Sequence, residues 1–349
     1  MMSFVTSRIR GSMQLMKFFV IGIALLFLVQ KGFAQLEPPI ITNLKDTRFR
    51  DVKEDFSTPS LSTSHLLAVR PLVGMVDDES KYTVELLQVQ WRWGDPIDLY
   101  VMKPAGVKKP PVILYLYGYP SDTDIFKNPK FQEYTTRNGF AAVGFVTALT
   151  GHRYHDRPMK KWFVSELQES LSTSAHDVQM VLNYLTSRGD LDMDRVGVLA
   201  QFSGASIGIL ASGVDPRIKV LDAMDPWGDW PTWMADSRFV PQAEQPDYVK
   251  PEFLSKVAGM DPVEWMPKMQ TKKFRLQQRN FDTETPAAVK DKLQAAAPSN
   301  ATVVRYKTRV EAGEAIGRGG EKSLDWLKQQ LSSLASPEQD QAIATGMPR

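Results

Sequence analysis

The chain has 349 residues, of which 43% are hydrophobic and 23% charged. That is enough apolar material for a sizeable core and too much for wholesale disorder. Cysteine is absent, which excludes disulfides, a thiolate nucleophile and any cysteine-based metal site. The formal charge is only +2, and the leader described next accounts for it, so nucleic-acid binding loses its main support.

Residues 1–34 have the layout of a secretory signal. Arg8, Arg10 and Lys17 precede the apolar run Phe18 to Val29, and the small residues Gly32 and Ala34 suit cleavage before Gln35. The apolar run falls short of the roughly 20 residues of a membrane-spanning helix. Export to the periplasm or beyond, with removal of this segment, is the expectation. The segment holds four basic residues and no acid, which leaves a net charge of −2 on the remainder. Met1, Met2, Met13 and Met16 leave the true start open.

Residues 35–81, rich in Pro, Ser, Thr and charges without a sustained period, read as an extended arm with a short helix near Leu66. From Tyr82 the pattern sharpens. Tyr82–Trp91 and Pro96–Met102 are strand-like runs joined at Trp93-Gly94-Asp95, a hairpin. Val112–Tyr117 and Phe140–Val146 are continuously apolar, as expected of strands buried on both faces. Val178, Val181, Leu182 and Leu185 recur with helical period inside 174–185. A short apolar run, Val196–Leu199, stops at small residues and a helix-compatible run, Ala205–Ser212, follows at once. Ile218–Leu221 is a further strand, and the Trp- and Pro-dense segment 226–268 reads as a cap-like insertion. A strand at 274–278, a helix from Pro286 to Ala296, a strand at 302–306 and a closing helix at 321–334 complete the order. The tail 337–349 is expected to be loose. The alternation predicts an α/β fold with a mostly parallel central sheet and helices on both faces.

The stretch 82–336 resembles an α/β-hydrolase of the dienelactone-hydrolase and prolyl-oligopeptidase-like branch. The carrying residues are Gly94-Asp95-Pro96-Ile97, Tyr115-Leu116-Tyr117-Gly118-Tyr119-Pro120, Asp190–Gly197, Asp215-Pro216-Arg217-Ile218-Lys219 and Asp282-Thr283-Glu284-Thr285-Pro286. The resemblance implies hydrolysis of an ester or amide, on a small molecule or a peptide, by acyl transfer without a cofactor or metal. It also implies a nucleophile on a small-x-Ser-x-small turn. The flanking motifs place Ala200-Gln201-Phe202-Ser203-Gly204 there, with Phe202 at the nucleophile position. Ser203, one step along, is the candidate nucleophile; the alternative is a helix N-cap serine. Gly204-Ala205-Ser206-Ile207-Gly208 matches G-x-S-x-G by letter, but places Ser206 a turn inside the helix.

The resemblance assigns Asp282 as the acid that orients a histidine; its alternative is a turn or N-cap aspartate. It assigns the oxyanion hole to the backbone N–H groups of Tyr119 and Gly204. The histidine belongs on the loop 307–320, which contains none. His65, His152, His155 and His176 all precede the elbow, so a triad in the order Ser, Asp, His cannot be assembled. His152 and His155 follow a strand whose end borders the site and are candidate substitute bases; a metal on this pair lacks further ligands nearby, and a structural role is the plainer alternative. Trp227, Trp230 and Trp233 suit cap packing or, less simply, an aromatic-lined pocket. Two functions therefore stand side by side: a serine hydrolase with a degraded triad, and a non-catalytic homologue that binds a ligand or partner in the vestigial pocket.

Overall fold

A computed structural model describes residues 71–91, 96–119, 121, 123–148 and 159–334. The strands are β1 (Leu72–Asp78), β2 (Tyr82–Val89), β3 (Ile97–Pro104), β4 (Pro111–Leu116), β5 (Ala141–Phe145), β6 (Asp192–Gln201), β7 (Ile218–Met224), β8 (Lys273–Arg279) and β9 (Ala301–Tyr306). They form one sheet in the order β1-β2-β3-β5-β4-β6-β7-β8-β9. The pairs up to β3–β5 are antiparallel, and every pair from β5–β4 to β8–β9 is parallel.

Parallel strands need crossover helices, and those helices cover both faces of the sheet. This explains why β4, Pro-Val-Ile-Leu-Tyr-Leu, is buried at every position. Its side chains alternate between two cores. Val112, Leu114 and Leu116 join one with residues of α2 (Met159–Arg188) and α3 (Ser203–Val214). Ile113 and Tyr115 join the other with Leu324, Leu327 and Leu331 of α10 (Glu321–Ser332). The second core also takes Phe126 and is flanked by α1 (Pro129–Thr136), whose Phe131 packs against Tyr115.

The insertion consists of short helices, α4 (Trp230–Asp236), α5 (Gln245–Tyr248), α6 (Pro251–Val257) and α7 (Pro262–Trp265). Trp227, Trp230 and Trp233 are wholly buried within it. Rings 227 and 233 lie 4.8 Å apart, and ring 230 meets 233 edge-on at 5.9 Å. The tryptophans are packing material of the core on that face of the sheet. The remaining helices are α8 (Ala287–Ala296) and α9 (Arg309–Ile316).

Two elements depart from the sequence expectations. The sheet begins at β1, inside the segment read as an arm ending at residue 81. As an edge strand exposed along its whole length, β1 lacks the inward-outward alternation that would announce it. Residues 307–320 are not simply a loop, because α9 occupies most of them. Thr308 caps α9 by accepting a hydrogen bond from the Glu311 amide at 3.1 Å, while the Glu311 carboxylate reaches back to the Lys307 amide at 2.7 Å. That Thr-x-x-Glu pattern is a readable helix start. The leader, the helix near Leu66, the hairpin turn at 93–95 and the tail 337–349 lie outside the described residues. Among those described, no helix is long and apolar enough to cross a membrane.

Candidate active-site cleft

The turn between β6 and α3 is the organising feature. Phe202 joins them with φ 52° and ψ −124°, a region that side-chain-bearing residues enter at a cost of about 1–3 kcal/mol. The turn is pinned on every side. The Phe202 amide donates to the Met224 carbonyl at 2.9 Å, and its own carbonyl accepts from Ala205 and Ser206. Gly204 lies so close to the end of β4 that a Cβ there would stand 2.2 Å from the Leu116 carbonyl oxygen, and a Cβ at Gly118 would stand 2.6 Å from the Phe202 Cβ atom. A strand, a strained residue and a helix in this order are the geometry of a nucleophile elbow, and the residue at its apex here is phenylalanine.

Ser203 is the first residue of α3 and is wholly buried. Its hydroxyl oxygen accepts a hydrogen bond from the Tyr119 amide at 2.8 Å. It therefore does not cap the helix through its side chain. It occupies the same backbone donor that the family resemblance assigns to a substrate oxygen. Ser206 is committed elsewhere: its hydroxyl donates to the Trp227 carbonyl at 2.8 Å and accepts from the Trp227 amide at 2.9 Å. This straps the cap segment to α3.

Asp282 stands after β8, on the turn leading to α8. Its carboxylate accepts from the amides of Glu284 and Thr285 at 3.3 and 3.1 Å, the pattern of a turn aspartate. Lys290 lies beneath it, with Nζ 3.8 Å from the carboxylate and donating to the carbonyls of Arg279 and Asp282 at 2.6 Å each. Burial pushes the Lys290 ammonium pKa down. No imidazole approaches Asp282 among the described residues. His176, on α2, packs edge-on against Trp91 with ring centroids 5.3 Å apart. His65, His152 and His155 lie outside the described residues. No group of described side chains could hold a metal ion.

The structure adds residues that the sequence did not single out. Asp225 follows β7 with φ 46° and is wholly buried. Its carboxylate accepts from the Arg279 amide at 2.8 Å and forms a close ion pair with the Arg279 guanidinium. Burial raises the Asp225 carboxyl pKa, and Arg279 works against that shift. Arg279 in turn lies 5.0 Å from the Phe202 ring centroid and 5.8 Å from that of Phe281, whose ring also meets Arg309 at 5.1 Å. Phe202, Arg279, Phe281 and Arg309 thus alternate ring and guanidinium. They line a cavity of about 190 Å³ together with Arg238, Asp282 and Glu284. A second lobe of about 240 Å³ shares Arg279, Phe281 and Arg309 and is completed by residues of α9, including Ala312 and Ile316. Burial first, then the Asp282 charge, raises the Glu284 carboxyl pKa.

No protein-family model and no curated protein sequence matches the chain. Solved structures do. An acetyl xylan esterase from Paenibacillus sp. R4 aligns with a TM-score of 0.59 at 16% identity, covering 81% of this chain and 95% of that one. A 2,6-dihydroxy-pseudo-oxynicotine hydrolase aligns at 0.53 and 19% identity, covering 70% and 67%. The acylaminoacyl peptidase of Pyrococcus horikoshii aligns at 0.51 and 12% identity, covering 76% and 49%. At such identities the likeness concerns the fold and leaves the chemistry to the residues present. The chain has the α/β-hydrolase fold, with the mostly parallel sheet and the strand-to-helix elbow that its sequence resemblance implied.

Proposed function

We propose that this protein is an exported, non-catalytic α/β-hydrolase homologue that binds a ligand in the cleft at the strand ends. The observation that carries the reading is the elbow. Its strained apex holds Phe202, which has no nucleophilic atom, while the adjacent Ser203 hydroxyl is buried and bonded to the Tyr119 amide. Serine attack needs an accessible hydroxyl and a base to take its proton. Asp282, the acid of the resemblance, spends its carboxylate on its own turn and beside Lys290.

The rival is acyl transfer by Ser203, with His152 or His155 as substitute base. The two readings separate in one experiment, in which purified protein is treated with a fluorophosphonate probe alongside Ser203→Ala and Phe202→Ser variants. The expected result is no labelling of the wild-type protein. Labelling of wild type that disappears in Ser203→Ala would establish the serine enzyme and sink the non-catalytic reading. Phe202→Ser restores a hydroxyl at the apex but no base, so it is expected to gain no measurable esterase turnover.

A further inference from the structure

Three arginines line the cavity at the elbow, and they are unequally neutralised. Arg279 is tied to the buried Asp225. Arg238 and Arg309 form no ion pair among the described residues, although both line the cavity. Of the acids there, Asp282 faces its own turn amides and Lys290. Among the described residues that line the cavity, Glu284 alone remains to balance the two arginines, and burial with nearby carboxylates weakens its hold on a negative charge. Set pair against pair, the described residues of the cleft keep about one uncompensated positive charge. A guanidinium offers a planar fork of donors matched to a carboxylate.

The rest of the lining is apolar. Phe202 and Phe281 present rings to the first lobe, and Phe281, Ala312 and Ile316 border the second. Both lobes are small beside the roughly 300–1,000 Å³ of pockets for drug-sized molecules. We propose that the cleft binds a small monocarboxylate with a short aromatic or aliphatic tail. The carboxylate lies within reach of Arg238 and Arg309, and the tail lies against Phe281 in the lobe formed by α9. This rests on the ligand-binding reading above and names the ligand class for that site. A single uncompensated charge favours a monoanion over a phosphate dianion, and the rings favour a tail over a bare anion.

The test is calorimetric titration of the purified protein with phenylacetate, its neutral analogue phenylacetamide, and inorganic phosphate, repeated with Arg238→Gln and Arg309→Gln. These two arginines hold no buried partner, so the variants are expected to fold, and unchanged melting curves check this. Phenylacetate is expected to bind wild type and to lose about tenfold or more in affinity in either variant, as for loss of a charge-assisted hydrogen bond. Phenylacetamide and phosphate are expected to bind at least tenfold more weakly than phenylacetate. Absence of phenylacetate binding, equal binding of the amide, phosphate binding as tight as phenylacetate, or affinity unchanged in both variants would each overturn the proposal. Fluorophosphonate labelling of the same preparation reports separately on the non-catalytic reading, so a failed titration on unlabelled protein condemns the carboxylate site alone.

Discussion

Phe202 keeps a backbone conformation that only a turn pinned from several sides imposes on a residue with a side chain. The pinning depends on Gly204, because the oxygen that a Cβ would meet at 2.2 Å belongs to the β4 backbone and cannot rotate away. Gly204→Ala is therefore expected to destabilise the protein by more than about 3 kcal/mol, the range of severe overpacking. Urea denaturation would read this as a lower midpoint with little change in slope; a wild-type midpoint would show that the turn tolerates displacement. At this scale the sequence was uneven. The register that puts Phe202 at the apex was legible, because Asp194-Arg195-Val196-Gly197 and Asp215-Pro216-Arg217 bracket the turn. The Asp225–Arg279 pair was not, since its partners stand 54 residues apart and meet only through the pairing of β7 with β8.

The elements show the same split between local and tertiary signals. β4 and β5 were readable from continuous apolar runs, and α2 from its helical period. β1 was missed because an exposed edge strand buries neither face, and α9 because the expectation of a loop obscured the capping pattern at Thr308. The packing of α10 carries a testable pH dependence. Lys328 is 5% exposed, donates to the Arg137 carbonyl at 2.7 Å, and lies 5.8 and 5.6 Å from the ring centres of Tyr134 and Phe140. Burial lowers its pKa to about 8. Between that value and the ordinary lysine range the unfolded chain binds a proton that the folded chain does not, so stability rises with pH across this window. Relative to Lys328→Met, the wild-type protein is expected to gain on the order of 2–3 kcal/mol between pH 8 and 10.5. Parallel urea titrations at pH 7, 8.5 and 10 measure it. A stability difference that stays flat with pH would mean that the ammonium remains charged in place.

For the whole molecule, fold class followed from the alternation of strands and helices, since a parallel sheet with crossovers has few ways to cover both faces. Function did not follow, because one fold hosts many chemistries and here the decisive residues depart from the pattern. Charge distribution belongs to this scale too. The basic excess sits in residues 1–34, and the remainder is mildly acidic. Expression of the full chain in an exporting bacterial host is expected to yield a protein beginning at Gln35, identified by N-terminal sequencing of the periplasmic fraction. Recovery with the leader intact would contradict the export reading.

The elbow has a consequence in the language of codons. Phenylalanine and serine codons of the forms TTY and TCY differ by a single base, so a nucleophile is one point mutation away on a turn already shaped to present it. A base is a harder acquisition. It would have to be aimed between residue 202 and Asp282 from a segment now folded as α9. On the non-catalytic reading proposed above, acquiring acyl transfer would thus wait on remodelling of that helix, long after the serine had become available.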